Sequence, residues 1–156
     1  MKAMSLPRWT TVDYNALSWH DATVYGLGLS QFDPSNGTAN LALDIDFIVR
    51  WHRIQHRLEF DVAQAKLVFH GVFDLSMQLD YAVMSAGMSA FTLDGIERTA
   101  VTRRHGAPSF RWLLRVNWPS GRIEFEADGF TQEALTPPKR LASQTLPAAD
   151  RIRPVI

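Results

Sequence analysis

The sequence predicts an all-β protein, or a β-dominated α+β protein, in which about eight strands form a curved antiparallel meander, either a sandwich or an open barrel. Apolar and polar residues alternate with the two-residue period of a half-buried strand along most of the chain. Clusters of turn-forming residues, such as 33–37, separate the alternating segments. Helix signals are short and lie near the two ends, so we expect little helix elsewhere.

Length and composition indicate one β-rich domain over residues 1–135 and a proline-rich tail over residues 136–156. A chain of 156 residues with 46% hydrophobic content can bury one sizeable core, whereas two domains would each be marginal. In the tail, prolines and scattered basic residues replace the alternation. We therefore expect the tail to be extended or disordered, or to lie as a strap over the sheet.

Charge and composition exclude several classes of partner and chemistry. Sixteen basic and sixteen acidic residues cancel, so no overall field draws the chain to nucleic acid or to a membrane. The absence of cysteine excludes disulfides, thiolate zinc sites and cysteine catalysis. The sequence shows neither a signal peptide nor an apolar run that could cross a bilayer. We expect a bacterial, cytoplasmic protein without a cofactor, in which the basic residues 103–105 form a solvated loop, with phosphate or RNA contact as the alternative.

The strand pairings follow from turns and charges. The strand at residues 22–32 pairs with the strand at residues 41–51 across the 33–37 turn. Setting Phe47 opposite Val62 in the next hairpin also sets Arg50 opposite Glu59, and opposite charges across a strand pair favour that register.

Two further segments carry specific expectations. Residues 67–81 would span about 50 Å if straight, so a bend or bulge is predicted near Gly71. In the last hairpin, the register that places Val116 opposite Ile123 also places Arg115 opposite Glu124.

Short helical turns are expected at residues 11–17 and 131–134. The predicted core includes Leu43, Ile45, Phe47, Phe60, Leu67, Phe69, Leu114, Val116 and Phe125.

Asp44 and Asp46 are the first candidate site. They stand about 7 Å apart on the strand face opposite the apolar row. If Gly28 lies opposite Asp44 and Gly26 lies opposite Asp46, the two glycines leave open space beside the carboxylates. The same pairing brings His20 near His52. His20, Asp44, Asp46 and His52 would together suit a divalent cation. The alternative is that the carboxylates are solvated or paired with an arginine and that the glycines mark a bulge.

Trp19-His20-Asp21 is the second candidate, because an adjacent carboxylate can orient and charge an imidazole. Neighbouring residues in a strand seldom point at one another, however. The other interpretation is that Asp21 caps or ends the N-terminal segment.

Three motifs carry a family resemblance: Trp19-His20-Asp21, the Leu-Asp-Ile-Asp-Phe-Ile strand of residues 43–48 with Trp51, and Leu67-Val68-Phe69-His70 with Asp74-Leu75. On these motifs the chain resembles a group of small uncharacterised bacterial β-rich proteins, and it is distantly similar to some polymorphic-toxin immunity proteins. The resemblance covers residues 19–80 and implies no established activity or functional residue.

Two functions therefore stay open. The first is a non-catalytic protein-binding module, in the manner of an immunity protein, with an exposed apolar patch or an open strand edge. The second is a divalent-metal-dependent enzyme or small-ligand binder that uses the Asp44/Asp46 face. We further expect a homodimer, in which the tail or an edge strand contributes to the contact.

Overall fold

The structure, a computed structural model, describes residues 4–83, 87–103, 106, 108–154 and 156. Most of these residues lie in strands. In chain order the strands are β1 (Arg8–Thr10), β2 (Thr23–Asp33), β3 (Thr38–Ile54), β4 (Arg57–Leu79), β5 (Phe91–Thr102), β6 (Pro108–Trp118), β7 (Gly121–Ala127), β8 (Gly129–Ala134) and β9 (Lys139–Leu141). Two short 3₁₀ helices occupy Thr11–Ala16 and Ala148–Asp150.

The strands form one antiparallel sheet whose hydrogen-bonded path closes on itself. The order is β1-β8-β4-β3-β2-β5-β6-β7, and β7 pairs again with β4. The length of β4 allows this closure, because its first part pairs with β3 on one edge and with β9 and β8 on the other. Its last part, from Phe73 to Leu79, pairs with β7. The predicted curved, antiparallel, β-dominated fold is confirmed.

The bend or bulge predicted near Gly71 is present as a bulge, because Phe69 and Val72 of β4 are three residues apart whereas their partners in β3, Leu41 and Ala39, are two apart. Gly71 has a φ of 66°, in the left-handed region that glycine adopts at no steric cost. The connection between β7 and β8 lies beside Gly71. It consists of Asp128, whose backbone N–H donates to the His70 carbonyl at 3.2 Å. A Cβ at Gly71 would come within 2.8 Å of Asp128 Oδ2. Both the backbone conformation and the space therefore require glycine here.

The main core lies on the inner face of the sheet and has an aromatic centre. Phe69 meets Phe125 at a ring-centroid distance of 4.8 Å and Trp112 at 5.2 Å, both edge to face. Burying an apolar side chain of this size contributes about 1.5–3 kcal/mol. All nine predicted core residues are buried.

A second apolar cluster lies on the outer face of β3 and β4. It consists of Ile48, Phe60, Val62 and Leu146, with Leu141 packed against them. Residues of the tail therefore cover a face that would otherwise be exposed. Of the three states expected for the tail, the structure shows the strap, and β9 is the part of it that pairs with β4.

The predicted registers of the first two hairpins are wrong, because each turn sets a different pairing from the predicted one and bulges then shift it again. In β2 and β3, shifts at Ser30/Asp33 and Val24/Gly26 place Thr23 rather than Gly26 opposite Asp46. In β3 and β4, Phe47 faces Ala63. A one-residue shift turns every side chain to the other face, and this shift places Val62 on the outer face. The pairing of opposite charges survives, since Arg50 faces Asp61.

The register of the last hairpin is also wrong, by two residues. Leu114 faces Ile123, and Arg115 faces Arg122. Arg115 instead forms its ion pair with Glu97 of β5, at 2.8 Å. The helical turn expected at residues 11–17 is present as a 3₁₀ helix, whereas residues 131–134 belong to β8. Pairing with β4 on one side and β1 on the other outweighs the weak capping signal there.

Candidate functional site

Asp44 and Asp46 lie on the outer face of β3, as the alternation predicts, but they are not solvated. Their exposed fractions are 6% and 0%. The tail crosses above them, and the Leu146 N–H donates to Asp46 Oδ2 at 2.9 Å. The carboxylate pair is therefore a buried site covered by the strap.

Arg151 of the strap binds both carboxylates. Its Nη2 donates to Asp44 Oδ1 and Oδ2 at 2.7 and 2.8 Å, and its Nη1 donates to Asp46 Oδ1. The guanidinium carbon lies 3.7 Å from the centroid of the Tyr25 ring, within cation–π distance. A guanidinium suits this site because its planar fork can donate to two carboxylates while its face stacks on an aromatic ring.

Gln64 of β4 holds the strap backbone beside Arg151. Its Nε2 donates to the Ile152 carbonyl at 2.7 Å, and its Oε1 accepts from the Ile152 N–H at 2.7 Å. The same Nε2 lies 3.1 Å from Asp44 Oδ1. Tyr25, Asp44, Asp46, Gln64 and Arg151 form one connected group, which we call the arginine clasp.

Burial dominates the electrostatics of the arginine clasp. It raises the pKa of Asp46, although the Leu146 N–H and the Arg151 guanidinium favour the ionised carboxylate. Burial also raises the pKa of Tyr25, and the negative charge of Asp46 acts in the same direction while Arg151 opposes it. The clasp therefore favours a neutral Tyr25 hydroxyl beside the carboxylates.

The two candidate histidines have partners of their own. His20 Nδ1 lies 3.2 Å from Asp21 Oδ2, which is possible because Asp21 has a φ of 63° and is not in a strand. His52 Nε2 lies 2.7 Å from Asp61 Oδ2. The hydrogen bond from His52 is the largest cause that lowers the pKa of Asp61, and Arg140 adds to it.

The structure brings Asp44 and Asp46 together but does not add His20 or His52 to them. The register that placed the histidines beside the carboxylates does not form. Over the ranges that the structure describes, no three His, Asp or Glu side chains gather closely enough to hold a metal ion. A cation from the chain itself, Arg151, lies where the metal hypothesis places an ion.

Sequence reasoning missed Tyr25, Gln64 and Arg151 as members of the site. One available signal was the apolar Ile48, which continues the outer face of Asp44 and Asp46 along β3. An apolar residue in that row indicates a face covered by another segment. The partner segment is separated from Asp44 by more than a hundred residues, and alternation contains no signal at that range.

A second feature is an open edge on β2. β2 pairs with β3 along its length, but it pairs with β5 only through Thr23 and Val24. Among the described residues, no strand pairs with the other edge of β2 from Gly26 onward. The segment 26–32, Gly-Leu-Gly-Leu-Ser-Gln-Phe, contains neither charge nor proline. Charge, proline and short length are among the usual protections of an edge strand. This edge lacks these three, and the protection it does have is the bulge between Ser30 and Asp33.

An apolar groove of about 300 Å³ lies beside the far end of this edge. Its apolar lining comes from β2, the following turn, the start of β3 and the part of β4 after Gly71: Leu29, Phe32, Pro34, Ala39, Val72, Phe73 and Leu75. Leu29 is 43% exposed and Phe32 is 68% exposed. Asp33 and Asp74 also line the groove, and Asp74 is ion-paired with Arg111 at 3.1 Å. The groove therefore combines apolar side chains with one carboxylate, that of Asp33, which has no cationic partner among the described residues.

The other edges differ from that of β2. β1 and β9 have three residues each and carry Arg8, Lys139 and Arg140. Short charged edges of this kind resist further pairing. In the expected basic loop, Arg103 donates to Asp128 Oδ1 at 2.9 Å, while Arg104 and His105 lie outside the described residues.

Comparison with protein-family models, curated proteins and solved structures yields no match to this chain. The resemblance of residues 19–80 therefore stays a prediction. In the part of the chain that the structure describes, no helix has the length and apolarity that a membrane crossing requires.

Proposed function

We propose that this protein is a non-catalytic binding module that pairs with an extended segment of another protein along the edge of β2. The observation that carries the proposal is the uncharged, proline-free edge of residues 26–32, whose backbone groups have no strand partner among the described residues. An added strand supplies hydrogen bonds to such an edge, and the adjacent side-chain pockets supply specificity.

The groove beside the edge defines the chemistry of the partner. Leu29 and Phe32 offer exposed apolar surface, and apolar side chains of an added strand would cover it. In the part of the chain that the structure describes, Asp33 accepts only from the uncharged groups of Ser35 and Asn36, so its negative charge favours a basic residue next to those apolar side chains. The predicted resemblance to immunity proteins would make a toxin the partner, and the predicted homodimer would make it a second copy of this chain.

Photocrosslinking tests the proposal directly. We would place a photoreactive phenylalanine analogue at Phe32, and as a control at Val12, which is 90% exposed on the 3₁₀ helix. Irradiation in cells of the natural host should give a discrete protein adduct from position 32 and none from position 12. Mass spectrometry of the adduct then distinguishes a second copy from another protein.

A matched pair of variants tests whether the edge itself is used. Leu29→Lys places a charge on the edge and should remove the adduct, because an unpaired charge opposes strand addition. Leu58→Lys, at a similarly exposed position of β4, should leave it unchanged, since Leu29 and Leu58 are 43% and 47% exposed. No adduct from position 32, or equal adducts from both positions, would refute the proposal.

The alternative is a metal-dependent enzyme or small-ligand binder that uses the Asp44/Asp46 face. The strap occupies that face with Arg151, whose side chain is only 11% exposed. The geometry therefore favours the binding module.

A further inference from the structure

The arginine clasp has the parts of a receptor for arginine. Asp44 accepts from Nη2 with both oxygens, Asp46 accepts from Nη1, and Tyr25 stacks on the guanidinium. A lysine ammonium has neither the planar fork nor the stacking face that these three groups contact. The site therefore selects a guanidinium rather than a positive charge in general.

The clasp also binds the backbone of the residue that follows the arginine. Gln64 is 0% exposed and uses its side-chain amide to pair with both the N–H and the carbonyl of Ile152. This pairing requires an extended backbone but no particular side chain at that position, and the Ile152 residue is itself 51% exposed. The site thus recognises an arginine within an extended segment.

Two glycines of β2 leave room for the rest of that segment. A Cβ at Gly28 would come within 2.8 Å of Ile156 Cγ2, and a Cβ at Gly26 would lie 3.5 Å from Ile156 Cδ1. Gly26 faces Asp44 across the β2–β3 pair, so the space above the two glycines adjoins the carboxylates. The open space that the sequence predicted beside the carboxylates holds the Ile156 side chain.

The strap is not part of the main core. Among the described residues, the main cluster contains none after Phe130, and those of the strap that join the small outer cluster are Leu141 and Leu146. Displacing the segment around Arg151 therefore does not open the main core. It removes from Asp44 and Asp46 both their cation and the segment that covers them, and a second arginine-containing segment could supply both.

We propose that Tyr25, Asp44, Asp46 and Gln64 form a binding site for an extended, arginine-containing peptide of another protein. In the free protein the chain's own Arg151-Ile152 occupies the site and competes with that peptide. The segment that occupies this site lies on the face of β2 at Gly26 and Gly28, whereas the other proposal uses the backbone edge of β2, so this proposal does not depend on that one.

A peptide titration tests the proposal. A fluorescent peptide with the sequence of residues 146–156 is titrated with the full-length Arg151→Ala variant and with the unaltered protein. It should bind the variant saturably and bind the unaltered protein at least about tenfold more weakly, since the resident strap competes there. A peptide carrying Arg151→Lys should bind the variant at least about tenfold more weakly than the arginine peptide.

Substitutions of the two carboxylates test the binding site itself. Adding both Asp44→Asn and Asp46→Asn to the Arg151→Ala variant should abolish binding of the peptide. Absence of saturable binding to a folded Arg151→Ala variant, or equal binding of the arginine and lysine peptides, overturns the proposal.

If the variant does not fold, hydrogen exchange of the unaltered protein decides the question. The arginine peptide should speed exchange of the Ile152 amide, which donates to Gln64, but not that of the fully buried Ile45 in β3. Equal exchange rates at Ile152 and Ile45, unaffected by peptide, would make the strap a permanent part of the fold and overturn the proposal.

Discussion

Arg151 Nη2 donates to both carboxylate oxygens of Asp44, at 2.7 and 2.8 Å, although the two residues are 107 positions apart in the sequence. The same guanidinium also binds Asp46, which is 0% exposed. One cation thus serves two carboxylates in a buried site. Removing one partner from such a group leaves an uncompensated buried charge, and that loss is larger than the net value of the pair.

Replacing Arg151 by alanine should therefore destabilise the protein strongly. We expect the free energy of unfolding to fall by about 3–5 kcal/mol, the usual cost of breaking a buried ion pair from one side. Urea denaturation of the Arg151→Ala variant measures this change.

Arg153→Ala is the matched control, because Arg153 is exposed and only two residues away on the same strap. It should change the free energy of unfolding by no more than about 0.5 kcal/mol. Replacing all three charges together, with Asp44→Asn, Asp46→Asn and Arg151→Met, should restore much of the loss. Equal effects of the Arg151 and Arg153 variants would contradict a stabilising role for the clasp.

The alternation in the sequence was enough to predict the fold class and the core. Side chains such as Leu43 and Phe125 belong to rows of period two, and that period survives any even shift of register. The registers themselves were wrong, because the turns set other pairings than the predicted ones, as where Leu114 faces Ile123. Bulges such as the one at Ile48/Arg50 shift the pairing again and leave no mark in the alternation.

Charge complementarity failed as a guide where a third strand supplied the partner. Arg115 was expected to face Glu124, but it binds Glu97 of β5, while Glu124 accepts from Arg111 at 3.3 Å. Local sequence cannot show which strand will lie on the other side. Likewise, Asp44 and Asp46 could be identified as a site from β3 alone, but Arg151 could not, because only the folded chain brings the tail to that face.

Gly121 should tolerate no side chain. A Cβ there would lie 2.2 Å from the backbone oxygen of Gln78, which cannot move without breaking the β4–β7 pairing. We expect Gly121→Ala to lower the free energy of unfolding by about 1–3 kcal/mol, as overpacking usually does. Gly95→Ala is the control, since no atom lies within 4 Å of a Cβ at Gly95. Similar melting temperatures for the two variants would contradict the contact.

The His52–Asp61 pair should make stability depend on acid pH. The pKa of Asp61 lies below the ordinary aspartate value of 3.8, so its ionised form is the one that the fold favours. This contribution is complete above about pH 4 and is lost as the pH falls through the lowered pKa. Asp61→Asn should cost up to about 1 kcal/mol at neutral pH, because the site is partly exposed, and nothing below the lowered pKa. Denaturation curves at both pH values measure the difference, and an equal cost at both would contradict the pair.

Divalent cations should not stabilise the protein, because Arg151 already occupies the Asp44/Asp46 face. A cation bound at a hundredfold excess over its Kd would add about 2.7 kcal/mol to the free energy of unfolding. We expect the melting temperature to be the same with Mg²⁺, Mn²⁺ or a chelator. A rise with metal that Asp44→Asn abolishes would instead support the metal-dependent alternative.

Tyr25 should ionise only at a pH above 10.0, the ordinary pKa of a tyrosine, because burial and the charge of Asp46 both oppose the phenolate. The protein contains 3 tyrosines, so the difference between the ultraviolet titrations of the unaltered protein and Tyr25→Phe isolates this one.

The raised pKa of Tyr25 also makes the stability of the fold depend on alkaline pH. A group whose pKa is higher in the folded than in the unfolded protein adds its full contribution to the free energy of unfolding below the unfolded pKa, and that contribution is lost as the pH rises through the folded pKa. Stability should therefore decline above pH 10.0, and less steeply in Tyr25→Phe. Asp46→Asn removes one of the opposing charges and should lower the midpoint of the Tyr25 titration. A Tyr25 midpoint at or below 10.0 in the folded protein would show that the ring is not held against the carboxylates as the clasp requires.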